Sequence, residues 1–227
     1  MKGKTVSVSF MWLGMLFCVC LISANLLATK PIMFGSFNIT AGLLVFPVSY
    51  IVGDCIVEVW GFRKARFIIW AGFLMNLLFV LFGLLADAIP GAPYWDNADG
   101  FHRFFGQAPR VVLASFLAFL AGSLLNAYVM SVMKVASHGK RFSLRAILST
   151  VAGETVDSLI FFPLALGGLV PLRNLLLIMC FEVVLKTLYE IIVLPVTIRV
   201  VRRLKRIEGV DVYDRGISYN WLKMSEL

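Results

Sequence analysis

Two pairs of acidic residues lie inside long apolar stretches of this 227-residue sequence. Asp54 and Glu58 are four residues apart, and a helix would place both on one face. Glu154 and Asp157 are three apart and would also share a face. A carboxylate at the centre of a membrane span costs roughly 2.5–3.5 kcal/mol, so such residues face a cavity or a partner charge rather than lipid. For Glu58 a second interpretation is open, because it could lie at the water boundary just before a basic run.

A third charged group has alternating signs. Glu182, Lys186 and Glu190 are spaced four and four, so one helix face would carry an acid, a base and an acid. These side chains could simply neutralise one another within the helix. However, placing three charges in the middle of a span costs free energy, and a buried salt bridge between them stabilises little. We therefore favour a role for these residues in a polar site.

Acids outnumber bases among the polar side chains of the apolar stretches. A cavity built from them prefers a ligand that offers hydrogen-bond donors or positive charge. A carboxylate accepts two parallel donors, which is what the pairing edge of a guanine-like base presents, while Asn or Lys can donate to its carbonyl. Flat rings also stack on aromatics, for roughly 1–3 kcal/mol per base. The pattern predicts a carrier of a polar small molecule without selecting the molecule. The polar candidates are Asn25, Asp54, Glu58, Asn76, Asn126, Glu154, Asp157, Glu182, Lys186 and Glu190, with Phe46, Tyr50 and Phe161 as nearby aromatics.

The composition indicates which elements must position these residues. Hydrophobic residues make up 60% of the chain and charged residues 15%, and the mean hydropathy is +0.89. These values predict an all-α polytopic membrane protein, a single domain of six transmembrane helices. The net charge of +8 could suggest a nucleic-acid partner, but the basic residues flank the apolar stretches, so we expect none. The predicted spans cover residues 8–28, 39–60, 67–86, 110–133, 143–167 and 174–200.

Several local features refine this scheme. The first apolar stretch is longer than a signal-peptide core and no Ala-x-Ala site follows it, so we expect it to be retained. Residues 29–38 and 87–108 are predicted to be loops, the second with a short interfacial segment. Pro47 falls inside the second predicted span, where a proline breaks the backbone hydrogen-bond ladder and can kink the helix. Small residues recur every fourth position at Ala114, Ala118 and Gly122, which favours close helix packing, and Asn126 continues that stripe.

Lysine and arginine are concentrated on one side of the predicted spans. With both termini in the cytoplasm, the inner segments hold most of them, and the outer segments hold only Lys30, Arg103, Arg110 and Arg173. We therefore predict a multi-pass protein of the cell (inner) membrane.

Two short matches hint at an internal repeat. Asn25 corresponds to Asn126, and the pair Gly53-Asp54 corresponds to Gly153-Glu154. Three spans per half would give two halves of opposite orientation, as in inverted-repeat transporters.

The sequence gives little support for a metal site, a cofactor or catalysis. The four cysteines lie in apolar stretches without a CxxC pair, and His102 and His138 fall in predicted loops. There is no GxSxG or HExxH motif, so we predict that the protein is not an enzyme.

Three stretches together resemble a known family. They are LVFPVSYIVGDCIVEVWG, RVVLASFLAFLAGSLLNAYVMSVMK and LRAILSTVAGETVDSLIFF. They are similar to the queuosine precursor transporters of the vitamin uptake transporter superfamily. The resemblance implies uptake of 7-deazaguanines, namely the 7-cyano and 7-aminomethyl bases or queuine. It also implies a binding role for Asn25, Asp54, Glu58, Asp157 and Lys186. On physical grounds alone we add Tyr50, Asn126, Glu154 and Glu190.

Alternatives to a self-sufficient carrier remain. The chain could be the substrate-binding subunit of an energy-coupling-factor-type transporter with an ATP-driven partner module, because it has no GxxxxGK[ST] loop of its own. Ala24 and Ala28 could dock such a partner. A channel fits the mixed charges less well than a closed site does, and an intramembrane enzyme is disfavoured. The oligomeric state is open, and a homodimer is one option.

Overall fold

The computed structural model describes residues 6–34, 37–106 and 109–223. In this part of the chain the fold consists of helices with one small β-hairpin, which confirms the predicted all-α class. The helices are α1 Val8–Ala28, α2 Phe46–Trp60, α3 Phe62–Asp87, α4 Ala98–Phe105, α5 Pro109–Ala136, α6 Phe142–Leu166 and α7 Leu172–Glu208.

Successive long helices run in opposite directions, so their ends meet in two groups. Phe10 at the start of α1 packs on Trp60 at the end of α2, with ring centroids 5.3 Å apart. Glu58 pairs with Arg145 near the start of α6 and with Lys205 near the end of α7. We call this end of the bundle, where the first and last described residues lie, the termini end. The opposite end carries the β-hairpin and is called the hairpin end.

Five helical segments have the length and apolar composition needed to cross a membrane. In the third of them, Phe62–Asp87, 28% of the apolar window is buried, so most of that window faces outwards, as lipid contact requires. α7 has 37 residues and is long enough to span at about 1.5 Å per residue, but it carries the three charges described above. The polytopic membrane architecture is thus confirmed, while the count of six spans stays a prediction.

The segment between α1 and α2 differs from the prediction. Strands β1 Pro31–Phe34 and β2 Phe37–Thr40 pair in antiparallel register, and a 3-10 helix, Ala41–Leu44, follows them. Pro47 falls in the first turn of α2, where its missing N–H costs no helical hydrogen bond. The predicted interior position of Pro47 is therefore wrong, because the helix starts there instead of running through it.

Two further boundaries differ. The predicted loop at 87–108 contains α4, and the imidazole Nδ1 of His102 in that helix lies 2.6 Å from Asp87 Oδ2, so His102 is not a loop residue. α7 continues beyond the predicted end at residue 200 to Glu208, where Gly209 adopts a left-handed conformation with φ 63°. Lys205 and Arg206 in its last turn suit the negative end of the helix dipole.

The tail that follows α7 folds back over the termini end. Val212 donates its backbone N–H to the Val59 carbonyl at 3.1 Å. The Asp214 carboxylate accepts from the backbone N–H of Phe62 at 2.8 Å and from the Ser131 hydroxyl at 2.6 Å. The tail therefore ties together the ends of α2, α3 and α5.

α5 and α6 approach each other closely at two glycines. A Cβ atom on Gly153 would lie 2.8 Å from the Gly122 carbonyl oxygen, and one on Gly122 would lie 2.8 Å from the Tyr50 hydroxyl. Ala114 and Ala118 are buried on the same face of α5. The predicted packing stripe is thus confirmed, and it brings the acids of α6 next to α2.

Candidate functional site

A cavity of about 380 Å³ lies between the hairpin-end halves of α1, α5, α6 and α7. This volume falls in the range of small-molecule sites, roughly 300–1,000 Å³. Most of the wall is aliphatic or aromatic, with Phe46 and Phe161 among the aromatics. The polar part of the lining consists of Asn25, Thr40, Ser115, Asp157, Glu182 and Lys186.

Lys186 connects the acids of two helices at the floor of this cavity. Its Nζ lies 2.8 Å from Glu154 Oε2 and 4.0 Å from Asp157 Oδ2, both on α6. It also lies 3.6 Å from Glu182 Oε2, one turn away on α7. Only the Lys186–Glu182 contact neutralises charge within α7. The other two contacts of Lys186, including the shortest one, join α7 to α6.

The cavity combines opposite hydrogen-bonding capacities beside aromatic surface. The Lys186 ammonium lies 4.3 Å from the centre of the Phe46 ring. Three carboxylates, Glu154, Asp157 and Glu182, surround this one cation, so the local balance of formal charge is negative. A ligand with several N–H donors and one acceptor oxygen would complement this arrangement.

A buried polar layer lies directly beyond the cavity floor, towards the termini end. Asn126 Nδ2 donates to Asp54 Oδ1 at 3.1 Å, and the Glu190 carboxyl lies next to that of Asp54. Asp54 and Glu190 form no ion pair within the described residues. Tyr50, Thr150 and Glu154 are also buried in this layer. Among the described residues, Asn126 Oδ1 and Glu154 Oε1 have no hydrogen-bond partner. These open positions leave the layer free to bond water or a ligand group.

Glu58 is separate from the cavity. It accepts from Arg145 at 2.6 and 3.2 Å and from Lys205 at 2.6 Å, at the termini end. Glu58 is 1% exposed, so it is a buried ion-pair residue at this end of the bundle and does not line the main cavity. Its position follows from helix geometry, because one further turn along α2 from Asp54 reaches the end of the bundle.

Glu58 belongs to an ion-pair network at the termini end. Lys134 Nζ contacts Asp211 Oδ1 at 2.5 Å and the Glu58 carbonyl at 2.5 Å. Lys205 Nζ lies 2.9 Å from the same Asp211 oxygen. Burial opposes ionisation of Asp211, but the hydrogen bonds from Lys134 and Lys205 outweigh it and lower the pKa of its carboxyl below the ordinary value.

A second cavity of about 190 Å³ adjoins the first on the side of α3 and α4. The two share Asn25, Ser115 and Thr40, and the Ser115 hydroxyl donates to Asn25 Oδ1 at 3.4 Å. Asn76 from α3 lines the second cavity. It is 2% exposed, and within the described part of the chain its Oδ1 lacks a hydrogen-bond partner.

The sequence-based candidates therefore divide into three groups. Asn25, Asp157 and Lys186 line the main cavity. Glu58 lies at the termini end. Tyr50, Asp54, Asn126, Glu154 and Glu190 belong to the buried layer. Sequence reasoning missed Thr40 and Ser115. It counted Glu182 among the polar candidates, as a member of the alternating charge group, but did not assign it a substrate-binding role.

Comparison with known proteins gives one family. Residues 40–200 match the family model described as "Putative vitamin uptake transporter". The chain is 29% identical over 189 residues to "Probable queuosine precursor transporter" of Bacillus subtilis (strain 168), covering 82% of this chain and 80% of that protein. It is 27% identical over 154 residues to "Queuosine precursor transporter" of Escherichia coli (strain K12), covering 68% and 67%. No solved structure matches.

The matched region runs from the end of β2 into α7, so it contains most of the cavity and the buried layer. Asn25 lies before it. Because the match covers well over half of the chain, the protein belongs to the vitamin uptake transporter family.

Proposed function

We propose that this protein imports a queuosine precursor, a 7-deazaguanine base, through the cell (inner) membrane into the cytoplasm. The relatives named above support the substrate class. The observation that carries the proposal is the cavity in which Lys186 and the carboxylate of Asp157 lie beside Phe46.

The chemistry of the base fits this cavity. Asp157 would accept the ring N–H and the exocyclic amine in a parallel pair, and Lys186 or Asn25 would donate to the base carbonyl. Phe46 and Phe161 would stack on the flat ring. The substrate-binding role of these residues is part of the proposal.

The orientation follows from the lysine and arginine distribution. The termini end carries the basic segments, so it would face the cytoplasm, and the hairpin end with the cavity would face outwards. A base would enter from the hairpin end and leave through the termini end.

The test uses the purified protein alone in liposomes. We expect saturable uptake of radiolabelled 7-aminomethyl-7-deazaguanine that unlabelled 7-cyano-7-deazaguanine inhibits. Asp157→Asn should weaken binding about 10-fold to 100-fold, because a charged, two-point contact is lost. Asp96→Asn, the same change in the exposed loop before α4, is the matched control.

Uptake no faster than in empty liposomes would overturn the proposal of an independent carrier. If uptake then arises only after an ATP-driven module is added, the substrate-binding-subunit alternative replaces it. An Asp157→Asn protein that binds like the wild type would remove Asp157 from the site.

A further inference from the structure

The second cavity has the properties of an extension of the main site. Its volume of about 190 Å³ is below the usual range for an independent small-molecule site, roughly 300–1,000 Å³. It shares the wall residues Asn25, Thr40 and Ser115 with the main cavity. A ligand in the main cavity could therefore extend a substituent into it.

The lining of the second cavity differs from that of the first. Its polar side chains are all uncharged: Asn25, Thr29, Thr40, Asn76 and Ser115. The remaining wall is apolar, and α4 contributes Phe104 and Phe105 to it. An ionised group would lose its hydration there without an opposite charge, whereas an uncharged group with both apolar and hydroxyl surface would fit.

Asn76 is the polar side chain of the second cavity that offers a ligand a buried hydrogen-bond acceptor. It lies on α3, a helix with few buried residues, yet it is 2% exposed and faces the cavity. Its Oδ1 has no hydrogen-bond partner among the residues that the structure describes, and leaving such an atom unpaired in a buried place is costly. A hydroxyl donor from a ligand would satisfy it.

The outer wall of this cavity is fixed by contacts between α3 and α4. The Phe105 ring lies 5.8 Å from that of Phe79, and a Cβ atom on Gly83 would collide with the Phe105 ring. The His102–Asp87 contact at 2.6 Å attaches the same short helix to the end of α3. α4 is thus seated closely enough to form a defined wall.

We propose that the second cavity is a subsite for the substituent at position 7 of the base, and that Asn76 selects substituents carrying hydroxyl groups. The inference rests on the proposed function. It predicts a preference for queuine, whose position 7 bears a dihydroxycyclopentenyl aminomethyl group. The amine would remain near the acids of the main cavity, and the hydroxylated ring would occupy the uncharged subsite.

The experiment compares two ligands on one purified protein in lipid nanodiscs. Queuine and unsubstituted 7-deazaguanine are titrated against wild type and Asn76→Leu, which keeps the side-chain size and removes the amide. We expect queuine to bind about tenfold more weakly to Asn76→Leu, and 7-deazaguanine to bind within twofold of wild type. Asn174→Leu, at an exposed asparagine in the first turn of α7, is the matched control and should change neither affinity.

A second variant tests the shape of the subsite. Val80 lines the second cavity and not the main one. Val80→Phe should therefore fill the second cavity and weaken the binding of queuine, while the affinity for 7-deazaguanine stays unchanged. Unchanged queuine affinity in both variants, or equal losses for both ligands, would overturn the subsite while leaving the proposed function standing. If wild type binds neither base, the proposed function itself fails and the subsite with it.

Discussion

At the level of single residues, Lys186 compensates three carboxylates that come from two helices. It is 8% exposed, and its shortest contact is with Glu154, which is 1% exposed. A buried ion pair is often no more stabilising than a well-packed apolar pair, but removing one partner leaves an uncompensated charge. We therefore expect the α6–α7 contact to be destabilised more when one member of the Lys186–Glu154 pair is neutralised than when both are.

This argument predicts a pattern for two substitutions. Lys186→Met should destabilise the protein by about 3–5 kcal/mol, the usual effect of breaking a buried pair. Adding Glu154→Gln should recover part of the loss, because one of the unpaired carboxylates is then removed. The measurement is thermal unfolding of the purified protein in detergent.

Lys140→Met, in the exposed turn between α5 and α6, serves as the control for loss of a lysine charge. If Lys186→Met unfolds at the wild-type temperature, the ion pair contributes nothing and the charge-balance argument is wrong. A double variant less stable than Lys186→Met would show that Glu154 stabilises the fold by another route.

Residue-level prediction from sequence worked where helix periodicity alone decides which face a side chain occupies. The spacing of Glu154 and Asp157 placed both on the inner face of α6, and the structure brings both to Lys186. Glu58 shows the limit, because its neighbours Arg145 and Lys205 come from distant parts of the chain. Helix periodicity predicts which face of a helix a side chain occupies, but it does not identify the residues that the side chain contacts there.

At the level of elements, the tail after α7 acts as a strap across the termini end. Asp211 joins it to Lys134 on α5 and to Lys205 on α7. Burial opposes the charge of Lys205, but its hydrogen bonds to Glu58 and Asp211 outweigh that effect and raise the pKa of its ammonium. Both shifts favour the charged forms, so the Asp211–Lys205 ion pair is present over a wide pH window.

The sign of each shift predicts how tail attachment depends on pH. Asp211 contributes above its unfolded pKa of about 3.9, and that contribution is lost as pH falls through its lower folded pKa. Lys205 contributes fully below its unfolded pKa of about 10.4 and is lost as pH rises through its higher folded pKa. We expect hydrogen-exchange protection of residues 210–222 to stay level from about pH 5 to 9 and to fall below about pH 4.

Asp211→Asn should lower this protection already at pH 7, since Lys134 and Lys205 would lose their shared carboxylate. Glu208→Gln, an acid three residues earlier at the end of α7, controls for the change in net charge. A loss of protection between pH 5 and 7 in the wild type would contradict the assignment, because no contribution from Asp211 or Lys205 changes there.

Element-level prediction failed where an apolar stretch was treated as continuous helix. The start of α2 at Phe46 was missed because residues 39–45 are as apolar as the helix that follows, although they form the end of β2 and a 3-10 turn. The end of α7 was missed for the opposite reason. Its basic residues resemble a water-exposed tail, but an amphipathic helix can extend beyond the membrane.

At the level of the whole molecule, the polar features are arranged in levels along the bundle. The two cavities lie towards the hairpin end, the Asp54–Asn126–Glu190 layer lies beyond the cavity floor, and the ion-pair network lies at the termini end. With the proposed orientation, these two cavities face outwards, and the buried layer and the ion-pair network separate them from the cytoplasmic side. Release into the cytoplasm then requires the network to open, as alternating access demands.

Opening of the network should be measurable from the reactivity of a residue just above it. Ser149 is 0% exposed and lies one helical turn from Arg145. In a background with the four native cysteines replaced by alanine, Ser149→Cys should react slowly with a membrane-impermeant maleimide. Adding Lys205→Met removes ion pairs to Glu58 and Asp211 and should raise the labelling rate several-fold, because weaker closure favours the open state.

The side of access decides between opening and general loosening. The faster labelling should occur in inverted membrane vesicles, which expose the cytoplasmic face, and not in right-side-out vesicles. Arg206→Met, the next residue of α7 and an exposed one, removes an equal charge and should leave the rate unchanged. Labelling that accelerates equally from both sides would mean that Lys205 maintains the bundle as a whole, and the ion-pair network would then not be the cytoplasmic gate.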